Sequence, residues 1–236
     1  MTTDRRQKYR RQVSTEGRLI ARPRSPSGAI TLGLQPLGLS SGRDGFLYVP
    51  ISYQPEEPAP LVLMLHGAGG NANHGLEPFL HLADAAGLIL LVPDSRRQTW
   101  DVLYGQYGSD IDFIDQALAH TFSRYAIDPA QIAVAGFSDG ASYALSIGLI
   151  NGDLFSHVIA FSPGFMAPTM IQGWPRIFMS HGTYDEVLPI DVCSRRMLPQ
   201  LQVNEYDVCY REFEGGHTIP PELVREALTW FMVTAE

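Results

Sequence analysis

The stretch AVAGFSDGASY, residues 133–143, decides how this chain is read. Small and apolar residues lead into Ser138, which has Gly136 and Gly140 two places to either side. Beyond it the chain runs on as alanine- and leucine-rich sequence of helical character. Gly-x-Ser-x-Gly is a weak pattern by itself, because both residue types are common. It carries chemistry when a strand precedes it, a helix follows it, and an acid and a histidine come later in that order.

Working outward, LVLMLHG (61–67) and LILLVPD (88–94) are continuous apolar runs too short for helices. They read as strands buried on both faces. IAVAGF (132–137), HVIAFSP (157–163), RIFMSHG (176–182) and VCYREFEG (208–215) read as further strands, and AITLGLQPLGL (29–39) and GFLYVP (45–50) as early ones. LEPFLHLADAAG (76–87) reads as a short helix after a loop at AGGNANHG (68–75). Ile111, Ile114, Leu118 and Phe122 form one helical face over 110–125. IDPAQ (127–131) reads as a turn, and helices are expected near 190–202 and 221–233. Strands alternating with helices predict an α/β protein: a mostly parallel twisted sheet with helices on both faces. Only about a dozen residues separate AFSPG from PRIFMSHG, too few for an inserted lid domain.

The 236 residues are 45% hydrophobic and 18% charged, the make-up of an ordinary globule. The net charge of -8 argues against a nucleic-acid partner. Arg5, Arg6, Lys8, Arg10, Arg11, Arg18, Arg22 and Arg24 concentrate positive charge in the first two dozen residues. This start reads as a solvated tail, 1–24, ahead of one domain at 25–236, in preference to an arm contacting an anionic membrane. Residues 12–17 are polar where a secretion signal needs an apolar run, so a cytoplasmic protein is expected. Cys193 and Cys209 have no metal-type spacing and read as reduced, structural thiols. No metal or organic cofactor is expected, and a homodimer stays open.

With these elements in place the chain resembles the α/β-hydrolase superfamily from about Gly45 onward. HGAGGN (66–71) is similar to the oxyanion loop after the third strand, and GFSDG (136–140) to the nucleophile elbow. HGTYDEVLP (181–189) resembles the acid loop of the phospholipase/carboxylesterase group, with Thr183 in place of the usual first acid. GGHTIP (215–220) is similar to the histidine loop of feruloyl esterases and polyhydroxybutyrate depolymerases. Ala141 stands where those esterases often have a second glycine.

The resemblance implies a lidless serine carboxylesterase with Ser138 as nucleophile, Asp185 as acid and His217 as base. It implies an oxyanion hole from the Ala68 and Asp139 amides, and a small-molecule ester as substrate. Asp191 is the nearest rival to Asp185 but reads as a helix-start residue. His66 and His181 each precede a glycine at a strand end and read as loop-shaping residues. Trp100, Tyr104, Tyr107, Phe165, Met166 and Trp174 fall in loops after strand ends and are candidates for an aromatic-lined pocket. An acyl-thioesterase or lysophospholipase-type hydrolase, and a slow-turnover binding protein on the same fold, stay open as alternatives.

Overall fold

In the computed structural model, which describes residues 14–233, a single mixed sheet organises the chain. Among the described residues it holds eight strands: β1 Gly33–Pro36, β2 Gly45–Val49, β3 Ala59–Leu65, β4 Ile89–Pro93, β5 Ile127–Phe137, β6 His157–Phe161, β7 Arg176–Gly182 and β8 Val208–Phe213. Their spatial order is β1-β2-β4-β3-β5-β6-β7-β8. β1 and β2 are antiparallel to their neighbours; every pairing from β4 to β8 is parallel. β3, β4 and β6 are buried along their whole length, as their unbroken apolar runs require.

The helices are α1 Ala72–Ala86, α2 Ser109–Arg124, α3 Asp139–Ile150, α4 Ser194–Val203 and α5 Pro221–Met232. They divide the core into two clusters, one on each face of the sheet. α3 is so poor in polar residues that nearly all of it is buried against β5 and β6.

The structure departs from the sequence reading in three places. First, α1 starts at Ala72, inside the segment read as a loop. Asn71 accepts a hydrogen bond from the Asn73 amide, the Asn71 amide donates to His74 Nδ1, and Asp94 accepts from the Ala72 amide. Those contacts satisfy the amides a helix start leaves open, and a histidine in place of the usual Glu or Gln hid the motif. Second, the turn at 127–131 lies within β5. Ala59 pairs with Ile127 and Leu61 with Ile132, so the residues between bulge out, with Pro129 where no ladder donor is needed.

Third, the described part of the basic start is bound to the domain rather than solvated. Leu19 is 1% exposed, and its amide donates to Asn151 Oδ1. The Ile20 and Ala21 amides both donate to Asp115 Oδ1. Arg18 and Arg22 converge on Asp153, and with the Arg18 bond as the main cause its carboxyl is held down at about 2. Arg5, Arg6, Lys8, Arg10 and Arg11 lie outside the described residues.

Candidate active site

β5 ends at Phe137, and α3 begins at Asp139. The one residue between them is Ser138, at φ 57° and ψ -120°. A non-glycine residue there is strained, and such strain persists only where the surroundings impose it. Here they do. A Cβ on Gly136 would lie 2.2 Å from the Gly140 carbonyl oxygen, and one on Gly140 would lie 2.2 Å from that of Leu65. Both glycines are therefore obligatory for the turn to close under β3. The turn lifts the Ser138 hydroxyl out of the sheet, leaving the residue 8% exposed.

Loops after β7 and β8, on the far side of β6, complete a hydrogen-bonded line to that hydroxyl. The loop after β8 brings His217, whose Nε2 lies 2.8 Å from Ser138 Oγ. The loop after β7 brings Asp185, whose Oδ2 lies 2.6 Å from His217 Nδ1. The Val187 and Leu188 amides donate to Asp185 Oδ1 at 2.9 and 2.8 Å. Burial pushes the Asp185 carboxyl up, but the Leu188 amide and His217 outweigh it and hold the group below the usual carboxylate range. An ionised Asp185 accepts the Nδ1 proton, so Nε2 is left to accept from the serine. The His217 ring is backed by Phe137, with centroids 4.7 Å apart. Asp191 instead pairs with Arg195 at the surface.

The loop after β3 borders the serine closely: a Cβ on Gly67 would touch that of Ser138 at 3.4 Å. Residues 67–70 form a turn closed by the Gly70 amide on the Gly67 oxygen at 3.1 Å. Gly69, at φ 69°, takes the left-handed conformation that a type II turn requires at its third residue. The Gly69 amide donates to Gln98 O. The amides of Gly69 and Gly70 are committed, whereas those of Gly67 and Ala68 make no backbone hydrogen bond among the described residues. Asp139 is the first residue of α3, so its amide has no intrahelical acceptor. Its carboxylate accepts from Thr99 Oγ1 at 2.7 Å.

A cleft of about 610 Å³ opens between this turn, the His217 loop, α1 and α5. Met64, Phe137, Ile219 and Val224 give it apolar walls, and His74, Glu77 and His81 stand on its α1 side. None of the aromatic residues expected to line a pocket borders it. Trp100 is fully buried, stacks on Tyr143 and donates its indole N–H to the His66 oxygen. Tyr107 is buried and bonds the Ala167 oxygen. Tyr104 is half exposed beneath the Arg97 guanidinium. Trp174 is 75% exposed and follows Gln172, whose amide bonds Leu149 at the far end of α3 from Ser138. Phe165 and Met166 follow β6, where Ser142 Oγ accepts from the Gly164 and Phe165 amides. Met166 packs on the core, and Phe165 stays half-buried near the first turn of α3. The expected aromatic set is thus not one pocket.

Other side chains beside the site shape its loops. His181 is fully buried: Nε2 donates to Leu188 O at 2.7 Å and lies 3.2 Å from Asp185 Oδ2, while Nδ1 meets Ser194 Oγ. It ties both ends of the acid loop, in line with the loop-shaping role read for it. Asp101 and Asp110 each accept the other's amide, at 2.7 and 2.9 Å, and nothing in their spacing signalled that clasp. Among the described residues no group of three or more His, Cys, Asp or Glu side chains could hold a metal ion. Among them, too, no helix is long and apolar enough to cross a membrane.

Residues 106–234, more than half of the chain, match the family model described as Phospholipase/Carboxylesterase. The chain belongs to that family. Among curated relatives of this phospholipase/carboxylesterase chain, feruloyl esterase C of Emericella nidulans is 28% identical over 159 residues, 64% of this chain and 58% of the relative. A poly(3-hydroxybutyrate) depolymerase of Ralstonia pickettii is 33% identical over 137 residues, 48% of this chain and 28% of the relative. The chain therefore spans less than two thirds of the length of these relatives. The crystal structure of esterase PE8 superposes with a TM-score of 0.65 at 22% identity, covering 84% of this chain and 98% of that one. That likeness establishes the α/β-hydrolase fold.

Proposed function

We propose that this family member is a serine carboxylesterase that works through an acyl-enzyme on Ser138. The observation that carries the reading is the unbroken hydrogen-bond line from the Asp185 carboxylate through His217 to the hydroxyl of a strained elbow serine. His217 Nε2 takes the Ser138 proton as Oγ attacks the ester carbonyl carbon. Asp185 stabilises the resulting imidazolium and fixes its orientation. The Ala68 and Asp139 amides receive the oxyanion, contributing roughly 3 kcal/mol each to transition-state stabilisation. The protonated His217 then gives its proton to the departing alcohol, and water, activated by the same nitrogen, releases the acid.

The cleft between α1 and α5 holds an apolar group of the ester. The oxyanion turn and His217 both border it, so a carbonyl seated on Ser138 lies beside it. The free thiols of Cys193 and Cys209 fit a reducing compartment, the cytoplasm. The commitment of Arg18 and Arg22 to Asp153 argues against these two acting as a lipid-binding arm.

Hydrolysis of p-nitrophenyl esters from acetate to palmitate, by wild type and Ser138→Ala, tests the proposal. Turnover by the wild type and loss of at least about 1,000-fold in the variant is the expected result. Equal rates in both would reject Ser138 as the nucleophile.

A further inference from the structure

The oxyanion turn is braced from the opposite edge of the sheet. Arg43 sits in the turn before β2, far in sequence from every residue of the catalytic line. Its Nη2 donates to the Gly70 oxygen at 2.7 Å and lies 3.3 Å from His66 Nε2. Its Nε donates to the Ser95 oxygen, and the guanidinium stands 4.0 Å from Asp94. His66 Nε2 also accepts from the Ser95 amide at 3.1 Å, so that nitrogen carries no proton. The proton is on Nδ1, which donates to the Gly67 oxygen at 2.7 Å. Burial, with the nearby Arg43 charge assisting and the Gly67 bond opposing, lowers the His66 pKa and so favours the neutral imidazole.

The two carbonyls that begin and end the turn, Gly67 and Gly70, are therefore both held by one linked pair of side chains. A three-glycine turn has little stiffness of its own, because glycine has the widest choice of backbone conformations. Its Ala68 amide must nevertheless meet an oxyanion within a few tenths of an ångström to be effective. We propose that Arg43, acting partly through His66, is a positioning residue that fixes the 67–70 turn so that the Ala68 amide faces the reacting carbonyl oxygen. The inference rests on the esterase reading above and adds to it a residue from outside every motif of that reading. A lysine would not replace it, since one ammonium lacks the planar fork that reaches Gly70 and Ser95 together.

The test compares wild type, Arg43→Ala and Arg43→Lys, with Ser138→Ala in parallel. Arg43→Ala is expected to lower kcat on p-nitrophenyl butyrate roughly 10- to 100-fold with KM within about threefold, as for a displaced transition-state donor. Arg43→Lys is expected to recover only part of the loss. Methylguanidinium, which fits the space vacated in Arg43→Ala, is expected to raise kcat of that variant and not of wild type. Hydrogen exchange of the peptide containing residues 67–70 is expected to accelerate in Arg43→Ala while β6 stays protected. Unchanged exchange in 67–70, or an intact kcat, would overturn the proposal. So would a kcat loss that merely tracks the unfolded fraction. If Ser138→Ala were as active as wild type, the esterase mechanism would fall, and the exchange measurement alone would decide whether Arg43 holds the turn.

Discussion

Two loops at the same end of the sheet each bury aspartates, and they use them in opposite ways. In the loop after β7, Asp185 faces two backbone amides and an imidazole that can take a positive charge, so its carboxyl is held below the ordinary range despite burial. Where the loop after β4 enters α2, burial and the neighbouring Asp101 push Asp110, in the first turn of that helix, up to about 6, and the Arg96 and Asp101 amides offset this only in part. Both are nearly hidden from solvent, at 5% and 1% exposure, though burial weighs more heavily on Asp110. The partner separates their roles. A carboxylate aimed at a side chain that changes charge can serve a reaction; one aimed at its own loop's backbone holds the loop together.

The sharpest way to break this contrast is to neutralise each acid in turn. Asp185→Asn is expected to lower kcat about 1,000- to 10,000-fold with the fold retained by circular dichroism, because the amide no longer orients and stabilises the imidazolium. Asp110→Asn is expected to leave kcat within about threefold. A comparable kcat loss in both variants would place the β4 loop inside the machinery and end the distinction.

The β4 loop's structural role has its own signature. Trp100→Ala removes a fully buried ring that stacks on Tyr143 and bonds the His66 oxygen, and should cost about 3–5 kcal/mol in urea denaturation. A loss of activity with unchanged stability would return Trp100 to the substrate pocket. The proposed apolar cleft is probed by Ile219→Trp. It should depress kcat/KM for long-chain or bulky esters about tenfold or more relative to acetate, read from the p-nitrophenyl ester series. A uniform change across the series would place the substrate elsewhere.

A smaller effect concerns pH. The folded-state pKa of Asp110 lies above the unfolded value, so between about 4 and 6 the native state binds the extra proton. Its contribution is fully present below about pH 4 and is lost as pH rises through about 6, by at most roughly 3 kcal/mol. His157 acts in the opposite sense: burial between Trp230 and Phe231 lowers it to about 4, so its contribution is lost as pH falls from about 6.5 to 4. The difference between wild type and Asp110→Asn isolates the first effect, and urea midpoints from pH 4 to 7 should fall less steeply with rising pH in the variant. Smallest of all, Trp174→Ala should change neither kcat/KM beyond about twofold nor stability beyond about 0.5 kcal/mol.

What was legible in the sequence follows from the same contrast. The elbow could be read because a strained serine demands glycines at fixed offsets, and the buried parallel strands because they need unbroken apolar runs. The acid and histidine loops each carry a short local pattern. Arg43 and the Asp101–Asp110 clasp act through backbone carbonyls and amides brought together by the fold, and no spacing records such contacts. The aromatic loop misled because large rings after a strand end are equally suited to filling a core, which is what Trp100 and Tyr107 do. Docking of residues 18–21 was hidden for a similar reason: the acceptors, Asn151, Asp115 and Asp153, lie about a hundred residues away.

The central claim is that Ser138 alone among the serines is activated, and covalent labelling tests it most directly. The protein would be treated with a fluorophosphonate, digested and mapped by mass spectrometry, with Ser138→Ala and Asp185→Asn alongside. The account predicts one phosphonylated peptide, with the adduct on Ser138, absent in Ser138→Ala and formed far more slowly in Asp185→Asn. An adduct on a different residue, or ester hydrolysis that survives full labelling of Ser138, would contradict it.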